Sequence, residues 1–201
     1  MSVQTGLRYD RFTIMDDELY EQLDALQRLA MGTLHLHTAV RHTYHRTELE
    51  PLAKNDRVIK VAAFDGPRMV GLCALSNDLD ALEFNADFLR SRYPEVSARN
   101  AIWYAALGVV DPDYWRHGIF NVLGEMLAEV LYSRRAEILM WDAVDIRFDM
   151  MHHWYQRLAG ERFGEGVHQT VFDQHRWVAV ELPPVADEVV VDLRGVPSAD
   201  G

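Results

Sequence analysis

The segment from 101 to 131 constrains the fold more than any other part of the chain. Residues 101–110 form a continuous apolar run that stops at Asp111-Pro112, a pattern typical of a strand buried on both faces. After Gly118 the apolar residues recur at helical spacing, which predicts an amphipathic helix over 119–131. Because a doubly buried strand needs cover on both sides, the segment predicts an α/β sheet with helices on both faces.

The remaining elements follow from local periodicity and from turn residues. In chain order the sequence predicts a strand at 6–14, helices at 17–31 and 33–49, hairpin strands at 57–65 and 68–75, a helical stretch over 82–89 that Pro94 closes, a strand at 137–144, a helix at 149–159 that stops at Gly160, and strands at 163–172 and 175–182. We expect one domain over 1–185 and a tail over 186–201 that adds at most a short strand.

The composition narrows the classes of partner. The 201 residues carry 20 Lys and Arg against 31 Asp and Glu, a formal net charge of −11, so we expect no nucleic-acid partner. Cys73 is the only cysteine, which excludes an intrachain disulfide and cysteine-based zinc sites and agrees with a cytoplasmic location. Since no run of 18 apolar residues occurs, we expect no membrane contact.

The turn at 111–118, between the predicted strand at 101–110 and the predicted helix at 119–131, is the segment best suited to hold a phosphate. The first turn of a helix leaves about four backbone N–H groups without partners, at the positive end of the helix dipole. Arg116 and His117 add side-chain donors there, and Gly118 permits a close backbone approach. On these residues alone, a phosphate site and an ordinary strand-to-helix connection both remain open.

Two spaced motifs resemble those of the GNAT superfamily of N-acetyltransferases. The fourth strand of that family ends in Val-x-Pro-x-Tyr, which is similar to Val110 through Tyr114 here. A loop of the form Gln/Arg-x-x-Gly-x-Gly/Ala follows in the family, and its central glycine corresponds to Gly118.

The second motif lies downstream of the strong helix. The family signature Phe-Tyr-x-x-x-Gly-Phe resembles the segment that contains Tyr155, Gly160 and Phe163. The order of elements and both motifs agree over residues 57–182, so the resemblance covers most of the chain.

The resemblance implies an architecture and a donor substrate. The sheet would be mixed but mostly antiparallel, with about seven strands split in a V between the fourth strand, 101–110, and the fifth, 137–144. Acetyl-CoA would lie in that V. The resemblance assigns its diphosphate to the loop residues Trp115, Arg116, His117, Gly118, Ile119 and Phe120. A bulge in the fourth strand would direct backbone N–H groups at the thioester, from the matching residues Gly108, Val109 and Val110.

The implied activity is N-acetyl transfer to a primary amine of a small molecule or peptide, by direct attack in a ternary complex. Tyr155 would protonate the departing thiolate. Residues 102–110 contain no carboxylate to act as the general base, so Asp142 and Glu83 are the candidates. His152 and His153 acting through water, or a water chain alone, are the alternatives.

Other features keep rival interpretations open. Trp115 and Phe120 depart from the loop pattern, which favours as an alternative a catalytically degenerate CoA-binding or protein-interaction module. A histidine group invites a metal hypothesis, but no matching carboxylate spacing accompanies it, so we expect no metal. Its members are His35, His37, His42 and His45. Residues 78–100 exceed what a minimal family member needs and suggest a wall over the acceptor site or a homodimer contact.

Overall fold

The described part of the chain is built on one five-stranded sheet, with strand order β1-β2-β3-β4-β5. A computed structural model describes residues 6–32, 44–81, 85–143, 145–164 and 166–171. The elements are β1 (Arg8–Phe12), α1 (Asp17–Met31), α2 (Arg46–Lys54), β2 (Ile59–Asp65), β3 (Arg68–Ser76), α3 (Ala86–Arg92), α4 (Pro94–Ala98), β4 (Ile102–Val110), α5 (Ile119–Ser133), β5 (Ile138–Met140) and α6 (Asp145–Phe163), with 3-10 turns at Leu79–Ala81 and Pro112–Tyr114.

The sheet is antiparallel except at one edge. The β1-β2, β2-β3 and β3-β4 pairs are antiparallel, whereas β5 runs parallel to β4. The parallel pairing joins Ile102–Tyr104 to Ile138–Met140 and goes no further. In the part of the chain that the structure describes, no strand pairs with residues 105–110 along this edge of β4.

Helices cover both faces of the sheet, as the sequence predicts. Leu72 and Ala74 of β3 pack into the core beneath α1 and α2, while Cys73 and Leu75 point to the opposite face, beneath α5. α5 lies very close to β3, because a Cβ built on Gly71 would lie 2.8 Å from the Cγ2 atom of Ile119. Each fully buried aliphatic side chain in these two layers contributes roughly 1.5–3 kcal/mol.

Several sequence predictions are confirmed nearly residue for residue. α1 covers the predicted 17–31, and the carboxylate of Asp16 caps it by accepting from the Leu19 N–H at 2.9 Å. The hairpin strands, β4 and α5 also lie where periodicity places them. Among the described helices, none combines the length and apolar character that crossing a bilayer requires.

Other predictions are wrong in their bounds. The fifth strand spans three residues rather than 137–144. Gly160 does not stop the last helix, since α6 begins at Asp145 and continues through that glycine to Phe163. The strand predicted at 163–172 is absent from its described residues, because α6 occupies its start and 166–171 are irregular. The helical stretch that Pro94 is predicted to close does end before it, at Arg92, and Pro94 itself begins α4, a position that proline suits because it needs no N–H partner there.

The remaining predictions fall partly or wholly outside the described residues. The helix predicted at 33–49 is described only from 44, and α2 begins at Arg46 and runs on to Lys54. The strand at 175–182 and the tail lie outside the described residues, so seven strands and a domain end at 185 stay predictions. The chain divides into two compact units, residues 1–170 and residues 171–201, and every element named above belongs to the first unit.

Candidate active site

A bulge in β4 sets the direction of its backbone groups. Leu107 pairs with Ala74 and Ala105 pairs with Leu75, so Ala106 is an extra residue without an opposite partner on β3. The bulge therefore lies at Ala106, two residues before the 108–110 segment whose N–H groups are predicted to face the thioester, and residues 108–110 pair regularly with β3.

Beyond the bulge, every second residue of β4 turns its backbone N–H and carbonyl groups away from β3. These groups face the edge of β4 along which no described strand pairs with residues 105–110, called the open edge below. The Asp111 N–H donates to the Val70 carbonyl at 2.9 Å, so residue 111 faces β3. Backbone groups alternate between the two edges of a strand, which turns those of Val109 toward β3 and those of Gly108 and Val110 toward the unpaired edge.

The loop after β4 is held at its start by Asp111 and has left-handed backbone angles near its end. Asp111 is buried, pairs with Arg68 and accepts from the Asp113 N–H at 2.9 Å. Arg116 and Gly118 both adopt left-handed backbone angles, with φ of 69° and 79°. A Cβ built on Gly118 meets no atom within 4 Å, so this turn is open to an approaching ligand.

The first turn of α5 offers its backbone amides at the same place. The earliest hydrogen bonds of the helix run from the Asn121 and Val122 N–H groups to the Gly118 carbonyl. The amides of Ile119 and Phe120 precede them and have no acceptor within the helix. The helix is 15 residues long, so its dipole adds a positive field at this end.

Two aromatic side chains border the open edge of β4. The Trp115 indole N–H donates to the Val110 carbonyl at 3.1 Å, and the Arg147 guanidinium lies 5.8 Å from the Trp115 ring centre. The Phe120 ring packs against Trp154, with centroids 4.5 Å apart, and a Cβ built on Gly108 would lie 3.2 Å from its Cε2 atom. Both rings therefore lie against the last residues of β4, and neither comes within 4 Å of a Cβ built on Gly118.

A cluster of polar and aromatic groups lies where β4 and β5 separate. The Tyr104 hydroxyl donates to Oδ1 of Asp142 at 2.5 Å. Tyr155 is half-buried and stacks on Trp141, with ring centroids 4.9 Å apart and an interplanar angle of 23°.

The environment keeps both phenols of this cluster protonated. Burial raises the pKa of Tyr155, and the neighbouring Cys73 and Asp142 raise it further. Burial, followed by the charge of and hydrogen bond to Asp142, also raises the pKa of Tyr104 well above its ordinary range. At neutral pH each phenol is therefore a proton donor.

The fold resembles those of solved N-acetyltransferases, although no family model and no curated protein matches the chain. An aminoglycoside acetyltransferase from an uncultured soil metagenomic sample, in complex with sisomicin, is 12% identical, with a TM-score of 0.55 over 89% of this chain and 100% of its own. Another aminoglycoside acetyltransferase from an uncultured soil metagenomic sample is 20% identical, with a TM-score of 0.53 over 86% and 99%. The PaiA N-acetyltransferase of Thermoplasma acidophilum, in complex with coenzyme A, is 10% identical, with a TM-score of 0.53 over 75% and 88%. The chain has the GNAT N-acetyltransferase fold.

Within this GNAT fold the predicted site residues form two groups. Residues 115–120 and the 108–110 segment lie together at the carboxyl end of β4. Tyr155 stacks on Trp141, which precedes Asp142 in the chain, and the charge of Asp142 contributes to the raised pKa of the Tyr155 phenol. Glu83 lies outside the described residues, so its role as a base stays a prediction.

The histidine candidates are only partly described. His35, His37 and His42 lie outside the described residues, whereas His45 caps α2 in a capping box with Glu48. Among the described residues no group of three or more His, Cys, Asp and Glu side chains is arranged to hold a metal ion.

Sequence reasoning missed the roles of Arg147, Trp154 and Tyr44. Arg147 and Trp154 belong to α6 and meet the loop and α5 across the fold. Tyr44 precedes α2, and its hydroxyl donates to the Ala106 carbonyl in the bulge at 2.9 Å. No local pattern signals these contacts, because each joins segments that are distant in the chain.

Proposed function

We propose that the chain is an N-acetyltransferase that moves an acetyl group from acetyl-CoA to a primary amine by direct attack in a ternary complex. The observation that carries this proposal is the edge of β4 at 105–110, along which no strand of the described residues pairs and which leads to the N-terminus of α5. This arrangement favours binding of an elongated donor such as acetyl-CoA. Its diphosphate would accept hydrogen bonds from the helix amides, and its thioester would lie along the strand edge.

The residues at this end of β4 fit the donor. The amides of Gly118, Ile119 and Phe120 would bind the diphosphate, with Arg116 and His117 as neighbouring cationic or hydrogen-bonding side chains. This assignment agrees with the open space around Gly118.

The strand edge would hold the rest of the donor. The phase of β4 supports contacts from the Gly108 and Val110 N–H groups, whereas Val109 pairs with Leu72 and drops out of the predicted set. Trp115 already occupies the Val110 carbonyl, so at that residue only the N–H remains for the donor.

The chemical step would use the groups where β4 and β5 separate. The amine nitrogen attacks the thioester carbonyl, the C–N bond forms and the C–S bond breaks. Tyr155 would supply the proton that the departing thiolate takes up, and its raised pKa keeps the phenol protonated until the C–S bond breaks. The nitrogen loses its proton as the C–N bond forms, when it becomes strongly acidic, and the Asp142 carboxylate, which already accepts the Tyr104 hydroxyl, would take up this proton.

The acceptor is proposed as a small-molecule amine. The GNAT-fold neighbours include aminoglycoside acetyltransferases, which supports this class. The negative formal charge of the chain, −11, favours the approach of cationic amines by electrostatic steering.

Calorimetric titration with acetyl-CoA and with coenzyme A, followed by a transfer assay on a panel of primary amines, tests the proposal. We expect micromolar binding of both and release of free thiol with at least one amine. Binding without transfer to any amine would support the degenerate CoA-binding module instead. No binding at millimolar coenzyme A would refute both functions.

A further inference from the structure

We propose that Tyr44 is a positioning residue that holds the β4 bulge in the phase needed for the donor thioester. Its hydroxyl donates to the carbonyl oxygen of Ala106 at 2.9 Å, across 62 positions of the chain. Ala106 is the extra residue of the bulge, so this hydrogen bond is made to the one residue of the segment that lacks an opposite partner on β3.

Tyr44 is itself fixed by a buried side chain of α1. The Gln27 amide nitrogen donates to the Tyr44 carbonyl at 3.0 Å, and the Tyr44 N–H donates to the Gln27 amide oxygen at 3.1 Å. Gln27 is fully buried and also contacts the buried Asp24 carboxylate at 3.3 Å. Because both backbone groups of Tyr44 are held from within the core, its hydroxyl approaches the bulge from a rigid frame.

The position of the Ala106 carbonyl determines which amides face the open edge. A peptide group is planar, so fixing the direction of the Ala106 carbonyl fixes the plane that also carries the Leu107 N–H. With that plane in place, the N–H groups of Gly108 and Val110 point to the open edge. A slip of one residue would turn these two toward β3 and replace them with those of Leu107 and Val109.

This inference rests on the proposed function, because it assigns Tyr44 to the same donor site. Tyr44 packs on the face of the sheet covered by α1 and α2. It acts through the backbone of β4. Loss of the hydroxyl should therefore weaken polarisation of the thioester carbonyl more than it weakens binding of the nucleotide part of acetyl-CoA.

The test compares Tyr44→Phe with the matched control Tyr20→Phe. Tyr20 is a buried tyrosine of the same core layer, and its hydroxyl also donates to a backbone carbonyl, that of Arg46, at 3.2 Å. Both variants lose one tyrosine-to-carbonyl hydrogen bond, but only Tyr44→Phe affects the bulge.

The primary readout is the infrared carbonyl band of bound acetyl-CoA labelled with 13C at the acetyl carbonyl. In Tyr44→Phe we expect the band to move to higher wavenumber, toward that of free acetyl-CoA, and kcat to fall about tenfold with coenzyme A affinity unchanged. The Tyr20→Phe protein should keep the wild-type band and kcat. A Tyr44→Phe band and kcat equal to those of the control would overturn the inference.

A second readout separates this inference from the proposed function. If the wild-type protein binds no acetyl-CoA, the proposed function fails, and the amide NMR signals of residues 106–110 still test the role of Tyr44. We expect these signals to shift and to exchange faster with solvent in Tyr44→Phe than in Tyr20→Phe. Identical amide signals in both variants would refute the positioning role even without a ligand.

Discussion

The pair Gly118→Asp and Gly118→Asn tests whether the donor diphosphate lies at the start of α5. Gly118 has φ of 79° and a Cβ there meets no atom within 4 Å, so either side chain fits. Asn and Asp tolerate left-handed backbone angles better than most residues, and they have nearly the same shape. The two variants therefore differ mainly by one negative charge at the N-terminus of the helix.

That charge should have opposite effects on stability and on binding. Without ligand, a carboxylate at a helix N-terminus is stabilising by about 0.3–1 kcal/mol, so Gly118→Asp should be at least as stable as Gly118→Asn. A phosphate on the neighbouring amides would lie about 5 Å from the carboxylate, and at effective dielectric constants of about 20–80 each pair of charges repels by about 1–3 kcal/mol. We expect coenzyme A to bind Gly118→Asp about 5- to 100-fold more weakly than Gly118→Asn.

Isothermal titration calorimetry at two salt concentrations, together with thermal unfolding of the unliganded proteins, measures both effects. The difference in affinity should shrink as salt screens the repulsion. Equal coenzyme A affinity of the two variants at low salt would show that no phosphate lies near Gly118, and the reasoning about this turn would be wrong.

Three further predictions follow from the described contacts. Tyr155→Phe keeps the stacking ring but removes the proton donor, so turnover should fall about 100-fold or more while coenzyme A affinity stays within about twofold; unchanged turnover would remove Tyr155 from its role. A Cβ on Gly124 would lie 2.3 Å from Trp154, so Gly124→Ala should lower the free energy of unfolding by about 1–3 kcal/mol. Gly160 has open space around it, so Gly160→Ala should raise the free energy of unfolding by about 0.5–1 kcal/mol. Thermal unfolding that ranks the two variants in the opposite order would contradict the α5-α6 packing. Burial lowers the pKa of Lys60 to about 8 from its ordinary value of 10.5, so between these pH values the unfolded state binds more protons than the folded state. The free energy of unfolding of the wild-type protein should therefore rise from pH 8 to 10 relative to that of Lys60→Met. Parallel pH profiles of the two proteins would refute this.

Local sequence patterns correctly predicted the elements whose own periodicity is enough to define them. α1, the hairpin and α5 carry clear periodicity, and β4 is one apolar run between turn residues, so their bounds agree with the structure. β5 is shorter than predicted because the length of an edge strand depends on its pairing with a neighbour. The pairing of β5 with β4 stops at Tyr104, although β4 itself continues to Val110. The glycine at 160 costs only about 1 kcal/mol inside a helix, and the rest of α6 outweighs it.

The candidate site was only partly visible in the sequence. Gly118 and Tyr155 stand in motifs, and the turn at Gly118 has the left-handed angle that only glycine adopts freely. The bulge at Ala106 has no local signal, since an alanine in an apolar run is typical of an ordinary strand. Tyr44 and Arg147 act through contacts made only after distant segments fold together.

The most direct test of the central claim is a crystal structure of the protein with acetyl-CoA. We predict that the diphosphate oxygens lie within hydrogen-bonding distance, about 3 Å, of the backbone nitrogens of residues 118–120, and that the thioester lies along the open edge of β4 near Gly108. A diphosphate bound elsewhere on the protein, or another segment of the chain paired along residues 105–110 of β4, would contradict the account.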